Sequence, residues 1–230
     1  MRILISFLSL LLCSISIAQS NDNLWLRNTA ISPDGNIIAF TYNADIYSVS
    51  SKGGKATRLT TNSAYDTKPV WSHDGKHIAF ASNRHGNFDV FVMPSSGGTV
   101  KRLTFHSADD YPSDFSSNNT SVLFNSVRLD NHKSLLFHRL GELYSVSLDA
   151  STPIQIESIP AYETKTNENG DLLFEEIKGG EDQWRKKHTS SVTRDIWIKH
   201  KNGTYKKVTN FNGEDRNPVF LNGDTFYYLS

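Results

Sequence analysis

Carboxylates recur in this sequence at one kind of place, just ahead of short apolar, β-like runs: Asp66, Asp109 with Asp110, Glu163 and Asp215. If those runs point the same way in the fold, the carboxylates gather at one end of it. A ring of them at the mouth of a channel would select cationic peptide ends. The alternative is local, because an aspartate side chain readily accepts backbone N–H hydrogens in the turn that leads into a strand. The second concentration of chemistry is basic. Arg185, Lys186, Lys187 and His188 follow Trp184 in a polar stretch. An arginine fork carries paired donors and a permanent charge that match a carboxylate. Arg185 and Lys186 are therefore candidates to hold the C-terminal carboxylate of a peptide, with Trp184 packing beside it. The other reading is a solvated basic loop.

No catalytic constellation accompanies these groups. The sequence has no G-x-S-x-G elbow, no H-E-x-x-H and no glycine-rich phosphate loop. His73 and His77 are four apart, but Asp74-Gly75 lies between them and marks a hairpin turn rather than one helix face. The single cysteine, Cys13, sits in the N-terminal apolar stretch. The expectation is a chain without catalytic residues, metal or cofactor. Lysine plus arginine equals aspartate plus glutamate, at 24 each. That balance argues against nucleic acid or an anionic membrane surface as a partner.

The N-terminus reads as an export signal. Met1-Arg2 precedes an apolar run over 3–17, and Ser16 and Ala18 have the small-residue spacing a signal peptidase cuts after. Residues 1–18 are thus expected to be a signal peptide, and the mature protein periplasmic or extracellular. The run is shorter than the ~20 residues of a membrane-spanning helix, so no span is expected.

What must position the acidic and basic groups is a repeat. Ile31-Ser32-Pro33-Asp34-Gly35, Ile38-Ala39-Phe40, Asp45-Ile46-Tyr47 and Arg58-Leu59-Thr60 return as Val70-Trp71-Ser72, Asp74-Gly75, Ile78-Ala79-Phe80, Asp89-Val90-Phe91 and Arg102-Leu103-Thr104. Asp45 to Asp89 and Leu59 to Leu103 are the same 44-residue step. Looser copies follow through Val122-Leu123-Phe124 and Leu143-Tyr144, then through Leu172-Leu173-Phe174 and Asp195-Ile196-Trp197. A further copy starts at Pro218-Val219-Phe220. Four strands per 40 to 50 residues, joined by Asp-Gly and Asn-Gly hairpins, mark a propeller blade. The fold class is therefore all-β: a β-propeller of four-stranded antiparallel blades over 19–230. The blades are expected at about 24–62, 63–106, 107–160 and 161–211, with 212–230 starting a fifth. A ring that must close is left incomplete, so the natural polypeptide is expected to continue. Between second and third strands the expected loops lengthen from 41–44 and 81–88 to 125–141 and 175–194. They share a face with the acidic turns, and long loops gathered on one face suit binding.

This pattern of proline, Asp-Gly, Ile-Ala-Phe, Asp-Ile-Tyr and Arg-Leu-Thr resembles the TolB-like propellers. The stretch from Trp184 through Arg185, Lys186, Lys187 and His188 to Asp195-Ile196-Trp197 resembles tricorn-type serine proteases. Lys207-Val208-Thr209-Asn210-Phe211 and Glu214-Asp215-Arg216 fit the same proteins. The resemblance implies a signal peptide, propellers, a PDZ-like domain and then a serine protease core. Its catalytic residues would lie in the remainder of the protease chain. It implies that this propeller guides peptides or unfolded protein substrates without cutting them, and it leaves self-association into a homo-oligomer open. The alternative is a non-enzymatic, TolB-like propeller that binds a periplasmic protein. A prolyl-oligopeptidase relative, with an α/β-hydrolase domain after its propeller, is a further one.

Overall fold

The structure, a computed structural model, describes residues 25–128, 141–178 and 189–230. The expected signal peptide and the cluster Trp184, Arg185, Lys186 lie outside the described residues. Eighteen strands and no helix occur among the described residues. They form four four-stranded antiparallel sheets and one pair. The first sheet is β1 (Arg27–Ile31), β2 (Ile37–Tyr42), β3 (Asp45–Ser50) and β4 (Thr57–Arg58). The second is β5 (Asp66–Trp71), β6 (His77–Ser82), β7 (Asp89–Pro94) and β8 (Lys101–Arg102). The third is β9 (Asp110–Phe115), β10 (Ser121–Ser126), β11 (Glu142–Ser147) and β12 (Ile154–Glu157). The fourth is β13 (Ala161–Thr166), β14 (Leu172–Glu176), β15 (Asp195–Lys199) and β16 (Tyr205–Lys207). The pair is β17 (Arg216–Asn222) with β18 (Thr225–Leu229). Each sheet is a simple meander, in strand order along the chain.

The cores distinguish this arrangement from a sandwich. Ala39 and Ile46 of the first sheet pack with Trp71, Ile78, Phe80, Phe91 and Met93 of the second. Ala79, Val90 and Leu103 of the second pack with Phe115, Val122, Phe124 and Tyr144 of the third. Leu123 and Leu143 meet Ala161, Leu172 and Phe174. Leu173, Ile196 and Ile198 meet Phe220 and Phe226. Each inner sheet is thus covered on both faces, which two face-packed sheets cannot do. The apolar-on-both-sides sequence of the second strands follows from that. The first strands touch in succession, β1 to β5 to β9 to β13 to β17, and so line the axis. The fold is a β-propeller of four complete blades with a two-stranded fifth.

Local chemistry sets the hairpins. At the first turn of the second blade, Ser72 Oγ donates to Asp74 Oδ1 (2.6 Å), and the Lys76 and His77 amides donate to Asp74 and Ser72. Gly75 closes this box at φ +70°, a region closed to most side chains. Ser32 and Asp34 build the same box one blade earlier. The second strands run further than the sequence pattern suggests. β2 extends through Tyr42, leaving Asn43 and Ala44 as a two-residue turn with φ +47° and +69°, the primed geometry that suits strand twist. At the outer edge the Asp-x…Arg-x-Thr repeat becomes a clip. Thr60, Thr104 and Thr209 hydroxyls accept the amides of Ile46, Val90 and Ile196, while Arg58, Arg102 and Lys207 pair with Asp45, Asp89 and Asp195.

Candidate functional site at the propeller mouth

The starts of the first strands and the loops between second and third strands lie at the same end of the blades. Arg84, in the loop after β6, demonstrates this by reaching Asp66 at the start of β5. Its Nη2 stands 3.1 Å from both carboxylate oxygens, and its Nε donates to Ser82 Oγ at 2.9 Å. Arg128 repeats the grip on Asp110, at 3.1 Å from Nε and 2.5 Å from Nη2. Both aspartates are fully buried. Their charge is matched by the arginines, and their amides donate to Ala44 O and Phe88 O of the preceding blade. They fasten each blade to its predecessor and its own loop.

The other two acidic positions differ. Glu163 is the third residue of β13, half-exposed, with φ +46° at a bulge where two residues oppose one on β14. Asp215 lies just ahead of β17, fully buried. Its neighbour Glu214 sits 3.7 Å from Arg194 Nε, and Arg194 Nη1 donates to the buried Glu175 at 2.6 Å. Burial raises the Glu175 carboxyl above its usual range, and Arg194 opposes that rise.

Solvent at this mouth meets a strip that crosses three blades. Tyr65 and Phe88 make an edge contact with ring centroids 6.3 Å apart, and Phe88 continues to Tyr111 at 5.2 Å. The Lys68 ammonium stands 5.1 Å from the Tyr111 ring centroid and 3.9 Å from Glu163 Oε1. Lys68 and Glu163 hold the same strained bulge position of their blades, φ +51° and +46°. Burial pushes the Tyr111 phenol up to about 12, with the Asp109 charge adding to the effect, so it stays a neutral donor at physiological pH. The strip offers aromatic faces for side chains, an ammonium for a carboxylate and a carboxylate for an amine. It offers no activated nucleophile. Among the described residues no group of three or more His, Cys, Asp or Glu could hold a metal. No helix among them is long and apolar enough to cross a membrane.

Reading motifs singly missed Lys68, Tyr111 and both arginines. The signal was available in the repeat, since Asp66 and Arg84 return as Asp110 and Arg128 at the same 44-residue step that relates Asp45 to Asp89.

Comparison with solved structures places this geometry among known propellers. The crystal structure of the tricorn protease matches with a TM-score of 0.71 at 20% identity, over 88% of this chain and 20% of that one. A TolB-type protein from Agrobacterium tumefaciens matches at 0.60 and 22% identity, over 78% of this chain and 63% of its own. TolB from Acinetobacter baumannii matches at 0.59 and 16%, over 83% and 45%. The chain therefore spans about a fifth of the tricorn chain and less than two thirds of either TolB-type protein. At these identities the likeness is one of fold. The sequence itself matches the family described as the tricorn protease N-terminal beta propeller domain over residues 23–230. The chain belongs to that family of tricorn N-terminal propeller domains.

Proposed function

We infer that the chain is the substrate-guiding propeller of an exported tricorn-type serine protease, part of a longer polypeptide whose catalytic residues lie elsewhere. The observation that carries the reading is the strip Tyr65–Phe88–Tyr111 with the Lys68–Glu163 pair, set at the propeller mouth of a chain in that family. Aromatic faces with one charge of each sign suit an extended peptide of mixed sequence, whose side chains stack while its termini find counter-charges. Arg185 and Lys186, with Trp184 beside them, extend the proposal as the anchor for a peptide's C-terminal carboxylate. The leader over 1–18 supports export to the periplasm or beyond.

The test uses the full-length protein and a peptide series with free or amidated C-termini. The double variant Arg185→Ala, Lys186→Ala is expected to lower kcat/KM for free-acid peptides about 10-fold and to spare the amides, the loss of one charge-assisted contact. Equal loss for both series overturns the anchoring role. Failure of the full-length protein to hydrolyse any peptide overturns the protease reading and favours a TolB-like propeller that binds a protein partner, for which the TolB-type matches speak.

A further inference from the structure

The second and third blades are closed at the mouth by one device with four parts. A buried aspartate opens the first strand, and the ladder sets it opposite a serine at the end of the second, Asp66 with Ser82 and Asp110 with Ser126. An arginine follows two residues after the serine, 18 residues beyond the aspartate in both cases. Its guanidinium carbon lies near an aromatic ring two residues before the serine, 5.7 Å from the Phe80 centroid and 5.0 Å from that of Phe124.

The first and fourth blades show what happens without the acid. Extending the Arg27–Thr41 pairing by one residue puts Leu26 in the aspartate's place, and Ala44 stands in the arginine's. In the fourth blade Ala161 takes the aspartate's place opposite Glu176, and Lys178 takes the arginine's and turns instead to Asp195. Acid and arginine are present together twice and absent together twice.

The fifth blade has three of the four parts. Asp215 donates its amide to Arg194 O (3.2 Å), just as Asp66 and Asp110 donate theirs to the residue preceding β3 and β7. The Arg216–Leu229 pairing sets Asp215 opposite Ser230, and Tyr228 stands two residues before that serine. Asp215 is fully buried, yet among the described residues neither of its carboxylate oxygens has a hydrogen-bond partner. The nearby Arg194 is committed to Glu175 and Glu214. A carboxylate shielded from water with neither donor nor counter-charge is strongly unfavourable.

We propose that Asp215 is the acceptor of a third arginine clamp, closed by a guanidinium that this polypeptide itself supplies two residues beyond Ser230 and that lies against Tyr228. The clamp rests on the reading of the chain as part of a longer protein. It fastens the fifth blade to the fourth at the mouth and makes the blades that follow depend on that joint.

Two measurements on the full-length protein decide it. The coding sequence past Ser230 is expected to specify arginine at the second residue. Asp215→Asn and replacement of that arginine by alanine are each expected to lower Tm by roughly 5–10 °C. The double variant is expected to lose little more than either one, because the two groups act as a unit. Asp110→Asn serves as the calibrating variant. A continuing chain with no basic residue at that position, or fully additive losses, overturns the clamp and leaves the longer-protein reading standing. A chain that carries the arginine but no protease core keeps the clamp and sinks the protease reading. A stop directly after Ser230 overturns both.

Discussion

Arg102 Nη2 lies 2.7 Å from Oδ2 of Asp89, a carboxylate with no exposed surface at all. The same motif in the first blade joins Arg58 to Asp45 at 2.6 Å, but there the arginine side chain is 45% exposed against 23% for Arg102. One sequence pattern thus yields two ion pairs of unequal energetic weight, because the second blade is covered on both sides and the first on one.

Arg102→Ala is accordingly expected to destabilise the protein by about 2–4 kcal/mol, the consequence of leaving a buried carboxylate without its counter-charge. Arg58→Ala is expected to cost less than Arg102→Ala, since the Arg58 side chain is 45% exposed and its removal opens the 6% exposed Asp45 to water. Urea denaturation of the two variants checks the ranking, and equal losses would refute it.

The turn box predicts an acid-side titration. The Ser72 hydroxyl, followed by the Lys76 amide, holds the Asp74 carboxyl down at about 2, and Ser32 with Asn36 does the same for Asp34. A lowered folded-state value favours the folded form above the ordinary carboxylate range near 3.8 and loses that contribution as pH falls through about 2. Ser72→Ala is expected to return the Asp74 carboxyl towards its ordinary value, as read by carbon-13 NMR of the side-chain carboxyl, with Asp34 unmoved.

Asp114 predicts the opposite slope. Burial raises its carboxyl, opposed by the Lys165 ammonium and His73, while the Thr166 amide donates to it at 2.7 Å. A raised folded-state value leaves stability complete below about 3.8 and erodes it as pH climbs through the folded value. Asp114→Asn retains one acceptor and cannot ionise, so its stability relative to the natural protein is expected to improve between pH 4 and pH 8. Parallel urea midpoints at both pH values would show the carboxylate already neutralised by its partners.

The proposed guiding role of the mouth strip predicts a split between binding and turnover in the full-length protein. Lys68→Ala is expected to raise KM for peptides with free C-termini about 5-fold with kcat unchanged, the signature of a contact equal in ground and transition states. Tyr65→Ala is expected to raise KM for all peptides, whatever their ends. A fall in kcat with KM constant would move the strip out of the binding path.

Much of the fold was legible because each blade needs the same local devices. Asp-Gly and Asn-Gly turns require positive φ, and a strand packed between two sheets must be apolar on both faces. Ile38-Ala39-Phe40 and Ile78-Ala79-Phe80 therefore announce themselves in any copy. The Asp-x…Arg-x-Thr clip is local as well, spanning one hairpin, and the sequence shows it as a motif although not as an ion pair.

The mouth was less legible: its arginine clamps recur at a fixed 18-residue separation, but the contacts of its aromatic strip join residues with no such relation along the chain. The strip from Tyr65 through Phe88 to Tyr111 joins the second blade to the third, and Lys68 meets Glu163 of the fourth only because their two strands both line the axis. Asp66, Asp110, Glu163 and Asp215 look alike in sequence. Tertiary packing decided that the first two are closed by arginines, the third stays half-exposed at a bulge, and the fourth is buried without a donor among the described residues. The chain by itself determined the repeat, because hydrogen-bonded hairpins and apolar alternation act over a few residues. Solvent exposure and charge pairing depend on what arrives from other blades, and only the folded arrangement supplies that.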